Sequence, residues 1–549
     1  MEIINYSEKR FLVVEDQRPF LVMLRGLLNT IGAQSVAVAA NAETAVSLCR
    51  KEKFDFIVCD LHLGADKKNG FELVEELRTR KLIKPTTVML VISADSAREF
   101  VIGSLEREPD DYLIKPFSQV QLKTRLSRAF HKRIELESVY SNIAKQDISA
   151  AIEACLALLR GNLNYRQTCL KLLSELYLSN GDSDAAIRLT QGVLNGRAIK
   201  WAQINLAKAY ALSGAYEEAQ TLAAQLLKAN RLNVDAYDVL ADCFMQRGNA
   251  TIALDNIKKA TNIAPLSLKR QFIAANIGRK NGDFDFAKDS CLSIWQMTKR
   301  SMHRDVSHLC NYIRSILDVA EHASDKQHRN RFQQEALITL QRNRNDEVFS
   351  RSTDEFDFAL YENIVHSRIN TLDGKLIIAK KMLEETQIAI EQKFDGYPLK
   401  LAPDSIKVMN DIGDFEEAEK LTQVLKQHDG ELDSNVTYLL VSEEAQQADR
   451  KAAYKEHNQQ GIEAYREGRF ETALQSFKAA KMLTPVNIGV NLNLLQCIVK
   501  ILEMQQNPEP ALVIECREVY TLLNGILLRE NHQQKWNELL DDLTPFMET

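Results

Sequence analysis

The sequence predicts two kinds of structure in one chain: an N-terminal α/β domain with a doubly wound, five-stranded parallel sheet, followed by a long all-α array. Three observations carry this prediction. Short apolar runs alternate with helical patterns up to about residue 117, strand-like runs then disappear, and glycines recur at a nearly constant interval in the helical part. Alternating strands and helices are typical of a parallel sheet covered on both faces, and a repeat of about 20–50 residues is typical of stacked helix pairs.

The α/β domain is predicted from five short runs that are rich in β-branched and apolar residues. These runs are Phe11–Val14, Ser35–Ala39, Phe54–Cys59, Thr86–Ile92 and Asp111–Ile114. The stretches between them have helical apolar spacing, at Arg18–Thr30, Asn41–Lys51, Gly70–Arg80 and Ser96–Glu106. In such a domain the functional site lies at the carboxyl ends of the strands.

The junction after the α/β domain is predicted to be helical. Ser118, followed three residues later by Gln121, has the pattern of a capping box that opens a helix. No Gly or Pro then occurs until Gly161. We therefore expect one unbroken helix to about residue 144, which would make the join stiff.

A repeat follows, in which an aromatic residue is followed by Gly four residues later and by Ala five residues after that. The glycines at 181, 214, 248 and 282 step by 33, 34 and 34 residues. Glycine suits the left-handed end of a first helix, and the small alanine lets the second helix pack closely. The layout resembles the tetratricopeptide repeat (TPR), whose period is about 34 residues. The copies are Tyr177-Gly181-Ala186, Tyr210-Gly214-Ala219, Phe244-Gly248-Ala253 and, with Gly278 at the aromatic position, Gly282-Ala287.

The rest of the array is less regular. Gln146-Ala151-Cys155 resembles the second helix of an incomplete first unit, and the register fades after Asp283 into irregular helical pairs. The pattern returns at Gly413-Ala418. The best copy consists of Gly461, Gly468, Ala473, Phe477, Ala480 and Pro485. We expect an α/β domain at 1–130, a helical connection and regular repeats at 131–300, irregular helical pairs at 301–400, and further TPR-like repeats at 401–549.

Composition narrows the class of protein. Of the 549 residues, 45% are apolar and 26% charged, and the net charge of −6 gives no general attraction to nucleic acid. The nine cysteines form no C-x-x-C pair, which argues against a structural zinc site or a secreted disulfide framework. The start lacks a signal-peptide layout, and no apolar run approaches the ~18–20 residues of a membrane span. We expect a cytoplasmic protein that binds neither nucleic acid nor membrane.

Polar side chains stand at the ends of four predicted strands. Glu15 and Asp16 follow the first strand, Asp60 the third, Ser93 the fourth and Lys115 the fifth. Because parallel strands deliver their carboxyl ends to one edge of a sheet, we expect these groups to lie together. The ordered set resembles the receiver domain of two-component response regulators, over about residues 8–130.

The resemblance implies a site that accepts a phosphoryl group. Asp60 would form an aspartyl phosphate, and three clustered carboxylates favour a hard divalent cation such as Mg²⁺. By resemblance, Glu15, Asp16, Asp60 and the backbone carbonyl of His62 would hold that ion.

The remaining residues of the set would respond to the phosphoryl group. The ammonium of Lys115 would bind the phosphoryl oxygens, and the hydroxyl of Ser93 would donate a hydrogen bond to the phosphoryl group. Tyr112 would turn inward as a switch. The resemblance also implies a cis bond between Lys115 and Pro116.

The sequence departs from the family pattern at two places. Glu15 stands where Asp is commonest, which changes the reach of that carboxylate, and the loop after Asp60 is about two residues longer, with Gly70 ten residues on. Two alternatives stay open: polar strand ends without phosphorylation, and Tyr112 as a packed residue that does not switch. The lone histidines, including His303, carry no metal-site pattern and are interpreted as ordinary.

The second half contains no DNA-reading module, no cyclic dinucleotide motif and no P-loop, so its output is predicted to be protein binding. The concave surface of a TPR array would take an unknown protein or peptide. The arrangement resembles auxiliary response regulators of the VieB type. That resemblance implies a sensor histidine kinase or phosphotransfer protein as the receiver's partner, with the sensor kinase as a candidate for the array.

Several functional hypotheses remain open. A phosphorylation-gated interaction module stands beside a phosphotransfer sink and a constitutive scaffold, and an RNA-binding repeat is disfavoured by the net charge. A homodimer is also allowed. Beyond phosphorylation and dephosphorylation of the receiver itself, we expect no enzyme activity.

Overall fold

We analysed a computed structural model of the chain. It describes residues 4–64, 68–94, 109–346, 349, 355–428, 432, 434–505, 509–526, 528 and 530–547. The predicted helix at Ser96–Glu106 lies outside these residues. The chain divides into two compact units, Met1–His308 and Leu309–Thr549.

The N-terminal domain contains the predicted five-stranded parallel sheet. Its strand order is β2-β1-β3-β4-β5, and every neighbouring pair is parallel. Two of the strands begin two residues later than predicted. A bend at Asp55 precedes β3, and a turn in which the Thr87 N–H donates to the Lys84 carbonyl precedes β4. The strands are β1 (Arg10–Val14), β2 (Ser35–Ala39), β3 (Phe56–Asp60), β4 (Val88–Ser93) and β5 (Asp111–Ile114).

Helices cover both faces of this sheet, as an α/β domain requires. On one face Leu12, Ile57 and Met89 belong to a single apolar core, while their neighbours Phe11 and Phe56 belong to a core on the other face. This two-residue alternation follows from the pleat of the strands. The described helices of the domain are α1 (Arg18–Thr30), α2 (Ala42–Lys51), α3 (Gly70–Thr79) and α4 (Gln119–Glu135), after a 3-10 turn at Tyr6–Glu8.

The prediction of one unbroken helix from 118 to 144 is wrong. The capping box of Ser118 and Gln121 is present, but α4 ends at Glu135, and α5 (Glu137–Ala144) begins after a turn at Leu136. Leu136 is fully buried in the first core of the helical array. Whether a helix continues depends on packing as well as on the absence of Gly and Pro, and here the helix is interrupted at a buried residue.

The helices up to residue 298 form regular pairs. Gly214, with a φ of +82°, ends the first helix of its pair in the left-handed region, as the repeat pattern predicts. Gln146 takes the corresponding position before α6, with a φ of +63°, so the first unit is a pair whose first helix is short. The helices after α5 are α6 (Ile148–Leu159), α7 (Arg166–Ser179), α8 (Ser183–Leu194), α9 (Lys200–Leu212), α10 (Tyr216–Ala229), α11 (Val234–Gln246), α12 (Ala250–Ile263), α13 (Leu268–Lys280) and α14 (Phe284–Thr298).

Helices continue to the end of the chain. Gly374 separates α17 from α18 and precedes Ala379 by five residues, a copy of the repeat that the sequence analysis did not identify. The helices are α15 (Val306–Glu321), α16 (Lys326–Asn343), α17 (Phe358–Leu372), α18 (Leu376–Lys393), α19 (Ala402–Ile412), α20 (Phe415–Gln427), α21 (Ser434–Arg466), α22 (Phe470–Leu483), α23 (Ile488–Met504), α24 (Pro510–Asn524) and α25 (Glu530–Met547). No described helix has both the length and the apolar character needed to cross a membrane.

Buried ion pairs hold the irregular helices of the second unit together. The guanidinium of Arg314 on α15 donates two hydrogen bonds, of 3.0 and 2.6 Å, to the carboxylate of Asp404 on α19. Arg368 on α17 lies 2.7 Å from Asp318 on α15. Such pairs specify which helices meet, since a buried charge without its partner is costly.

Candidate functional site

Backbone pairing brings the predicted polar groups to one edge of the sheet. The N–H of Glu15 donates to the carbonyl of Ala39 at 3.0 Å, which extends the pairing of β1 with β2. Asp60 ends β3, and Ser93 ends β4. The N–H of Lys115 donates to the Ser93 carbonyl at 2.8 Å, so the residue after β5 is held in the same way.

A lysine and two buried carboxylates form the centre of this edge. Lys115 Nζ lies 3.1 Å from Glu15 Oε2 and 3.2 Å from Asp60 Oδ1. Glu15 is 1% and Asp60 6% exposed, whereas Asp16 is exposed. One carboxylate oxygen of each of the three acids lies within 4.8 Å of the others. Carboxylate oxygens at this spacing are suited to a hard divalent cation, so this cluster could bind a metal.

Burial makes the charged forms of these acids costly. It is the main reason that the pKa values of Glu15 and Asp60 are raised above their ordinary values. The charge of Asp60 raises the pKa of Glu15 further, while Lys115 acts against both shifts. A bound cation would relieve the remaining repulsion.

An aromatic residue that the sequence analysis missed supports the lysine. The ammonium of Lys115 lies over the ring of Phe20 on α1, 3.8 Å from its centroid. Phe117 meets the same ring edge-on, with centroids 6.1 Å apart. The peptide bond between Lys115 and Pro116, just before Phe117, is cis, as the resemblance implied. No signal in the sequence connects residue 20 with residue 115.

Gly70 holds the longer loop against the strand that ends in Asp60. Its N–H donates to the Leu61 carbonyl at 2.8 Å, and a methyl group at this position would lie 2.5 Å from the Asp60 carbonyl oxygen. The two additional residues of the loop therefore leave this close contact in place.

The other residues of the set lie around this centre. Ser93 is fully buried, and Tyr112 is partly buried against the core on the α2 and α3 face of the sheet. The side chain of His62 is exposed.

Within the described part of Met1–His308, the helical array contacts the α/β domain at several places, among them Arg133 and His303. At the first, Arg133 of α4 bonds Asp110 at 2.5 Å and the Pro85 carbonyl at 3.0 Å, while its guanidinium lies 3.8 Å from the centroid of the Tyr140 ring on α5. At the second, His303 Nε2 lies 2.7 Å from Glu75 Oε1 on α3. The sequence analysis interpreted His303 as ordinary, because nothing local marks a partner 228 residues away.

Comparisons with known proteins agree with this geometry. A family model described as the response regulator receiver domain matches residues 11–127. Chemotaxis protein CheY-3 of Vibrio cholerae is 28% identical over 132 residues, which are 24% of this chain and 99% of that protein. The alkaline phosphatase synthesis transcriptional regulatory protein PhoP of Bacillus subtilis is 31% identical over 144 residues, 26% of this chain and 57% of that protein.

The chain is also similar to two solved structures. One is a Burkholderia pseudomallei response regulator with a phosphorylated aspartic acid, calcium ion and citrate (28% identity, 27% of this chain, 92% of that chain, TM-score 0.20). The other is a tetratricopeptide repeat protein from Parabacteroides merdae (16% identity, 50% of this chain, 97% of that chain, TM-score 0.27). The family model thus identifies residues 11–127 as a response regulator receiver domain. In this chain a long array of helices follows, and its regular pairs have the TPR spacing of left-handed glycines.

Proposed function

We propose that this protein is a phosphorylation-gated interaction module: Asp60 accepts a phosphoryl group, and the state of the receiver modulates protein binding by the TPR-like array. The observation that carries the proposal is the shared position of Lys115 Nζ, within 3.2 Å of both Glu15 and Asp60. This arrangement joins a nucleophilic carboxylate, a cation for phosphoryl oxygens and a set of metal-binding oxygens at one sheet edge.

Each residue of the site has a chemical task in this proposal. A carboxylate oxygen of Asp60 bonds to phosphorus while the bond from phosphorus to the donor breaks, and the donor keeps that electron pair. Glu15, Asp16, Asp60 and the His62 carbonyl would hold Mg²⁺, which supplies positive charge beside the carboxylates and the phosphoryl oxygens. The Ser93 hydroxyl donates a hydrogen bond to the new group.

The phosphoryl group would also alter the surroundings of the site. It adds up to about two negative charges, so it competes with Glu15 for Lys115. Tyr112 would follow into the space released on the β5 side.

Two structural routes lead from the site to the array. Helix α4 begins four residues after Lys115 and ends at Glu135, whose carboxylate accepts the backbone N–H groups of Asn164 and Tyr165 at 2.8 and 3.1 Å. The other route is α3, which follows the loop after Asp60 and carries Glu75, the partner of His303. A shift of either helix would reach the array directly.

The proposed partners follow from the two parts of the chain. A sensor histidine kinase or phosphotransfer protein would donate the phosphoryl group to the receiver. The array would bind a protein or peptide, with the sensor kinase itself as a candidate, which would make this an auxiliary regulator. A coupling of ~1–3 kcal/mol would change partner affinity roughly 5–150-fold.

Phosphorylation is tested with a small phosphodonor and the full-length chain. Mass spectrometry should show one added phosphoryl group that requires Mg²⁺ and is absent in Asp60→Ala. Asp55→Ala is the matched control, since Asp55 lies just before the other end of β3. Labelling of Asp60→Ala at the rate of the unaltered protein would contradict the assignment.

Gating is tested by capturing partners and measuring their affinity with and without beryllofluoride, a phosphoryl mimic. We expect a change in affinity that is lost in Asp60→Ala and reduced in His303→Ala. Equal affinities, with the mimic shown to be bound, would eliminate gating. A phosphotransfer sink or a constitutive scaffold would then remain.

A further inference from the structure

A cavity of about 350 Å³ lies where the receiver domain meets the start of the helical array. One wall is the end of α3 with the loop that leads to β4, and the other is α5, the turn after it and Leu172 of α7. Its volume falls in the range of small-ligand sites, about 300–1,000 Å³. Since β4 extends for roughly 16 Å between this end of the sheet and Ser93, the cavity is separate from the Asp60 site.

The cavity is strongly basic. Its lining among the described residues includes no carboxylate and five basic side chains, Arg78, Lys81, Lys84, Arg133 and Lys145. Lys81 and Lys145 are exposed and form no ion pair with any residue that the structure describes. An anion in the cavity could pair with these two ammonium groups without displacing a carboxylate.

Two of the lining residues, Arg78 and Arg133, also belong to a group of cations around the buried Asp110. Asp110 is a single buried carboxylate that faces three cations: Arg133 at 2.5 Å, Arg78 at 3.1 Å and Lys132 at 3.9 Å. Burial lowers the pKa of Lys132, and the charge of Arg133 lowers it further, although Asp110 opposes both effects.

The rest of the lining is apolar and aromatic. Ile83, Ile143 and Leu172 contribute aliphatic surface, and Tyr140 contributes a ring beside the guanidinium of Arg133. A free phosphate ion would contact only the basic side chains of the cavity. A molecule that combines a phosphate with a flat ring system would contact both the basic side chains and the apolar and aromatic ones.

We propose that this cavity binds a nucleoside phosphate and that the bound nucleotide stabilises the packing of the receiver against the array. The ligand would contact both walls at once, so it would favour the arrangement in which they face each other. The protein would then respond to a small-molecule signal as well as to phosphorylation of Asp60.

The experiment is isothermal titration of the full-length protein at low salt and without Mg²⁺, with AMP and GMP as probes. Adenosine, guanosine and inorganic phosphate separate the contributions of ring and phosphate. We expect at least one nucleotide to bind saturably and about tenfold more tightly than its nucleoside or phosphate alone. The Asp60→Ala protein should bind it equally well, because the two sites are separate.

Reversing the charge of two lysines in the lining tests whether the nucleotide binds in this cavity. The double variant Lys81→Glu/Lys145→Glu should weaken nucleotide binding by about tenfold or more. Lys51→Glu/Lys228→Glu, with two exposed lysines outside the cavity lining, is the matched control and should bind normally. No saturable binding of either nucleotide, equal affinity for inorganic phosphate, or equal affinity in the charge-reversed variant would each overturn the proposal.

Discussion

Substitution of Gly70 by alanine is the sharpest test of how the loop after Asp60 supports the site. Gly70 is the first residue of α3, and an added methyl group would lie 2.5 Å from the carbonyl oxygen of Asp60 and 3.2 Å from its carbonyl carbon. Both contacts are to backbone atoms, which cannot rotate away as a flexible side chain can.

The size of the effect follows from these distances. Ordinary van der Waals contact begins near 3.4 Å, so the methyl group and the Asp60 carbonyl would have to separate by about 0.9 Å. Overpacking of this kind costs about 1–3 kcal/mol. A displacement of about 1 Å at a reacting group can slow a reaction on the order of 100-fold. We therefore expect lower stability of β3 and slower phosphorylation of Asp60.

Hydrogen exchange of the β3 amides in the full-length protein measures the first effect, and the rate of labelling by a small phosphodonor measures the second. Gly26→Ala is the matched control, because among the described residues no atom outside the adjoining backbone of α1 lies within 4 Å of a methyl group there. Gly26 lies inside α1, so alanine should stabilise the domain by about 0.5–1 kcal/mol and leave phosphorylation unchanged. Wild-type protection and wild-type phosphorylation in Gly70→Ala would refute the reasoning.

Three further predictions concern the acidic site, the junction and the second unit. Without Mg²⁺, Asp60→Asn should raise the melting temperature at pH 7, because burial raises the pKa of Asp60 and so makes its charged form costly in the folded state. The gain should shrink as the pH falls and the Asp60 carboxyl becomes protonated. Ser118→Ala removes the capping box of α4 and should cost about 1 kcal/mol, seen as faster hydrogen exchange in its first turn. Asp404→Ala leaves Arg314 buried without its carboxylate and should destabilise the second unit by about 3–5 kcal/mol in urea unfolding. Lys420→Ala, which breaks only an exposed pair, should cost less than about 1 kcal/mol, and an equal effect of both variants would contradict this account.

Much of the architecture could be predicted because it depends on near neighbours. All five strands and three of the described receiver helices were predicted to within two residues at either end, since apolar periodicity and flanking turn residues are local properties. The ends of the strands are likewise local, and a parallel sheet has only one edge at which they can meet. The grouping of Glu15, Asp60 and Lys115 could therefore be predicted before any distance was known.

Features that depend on packing could not be predicted in this way. The break at Leu136 interrupts a stretch with no helix-breaking residue, and the side chain of that leucine is fully buried in a core of the array. The copy at Gly374 and Ala379 was not identified because Gly374 does not follow the step of about 34 residues that relates the earlier glycines.

The sequence by itself determined the order of strands and helices, the TPR-like period and the group of polar residues at the carboxyl ends of the strands, because each depends on short-range periodicity or on the residue that ends a strand. Only the tertiary structure decided that Phe20 lies beneath Lys115, that His303 meets Glu75 and that basic side chains surround the cavity between receiver and array. These contacts join residues far apart in the chain. Their free energies depend on which surfaces the fold brings together and removes from water, and that is a property of the whole packed unit.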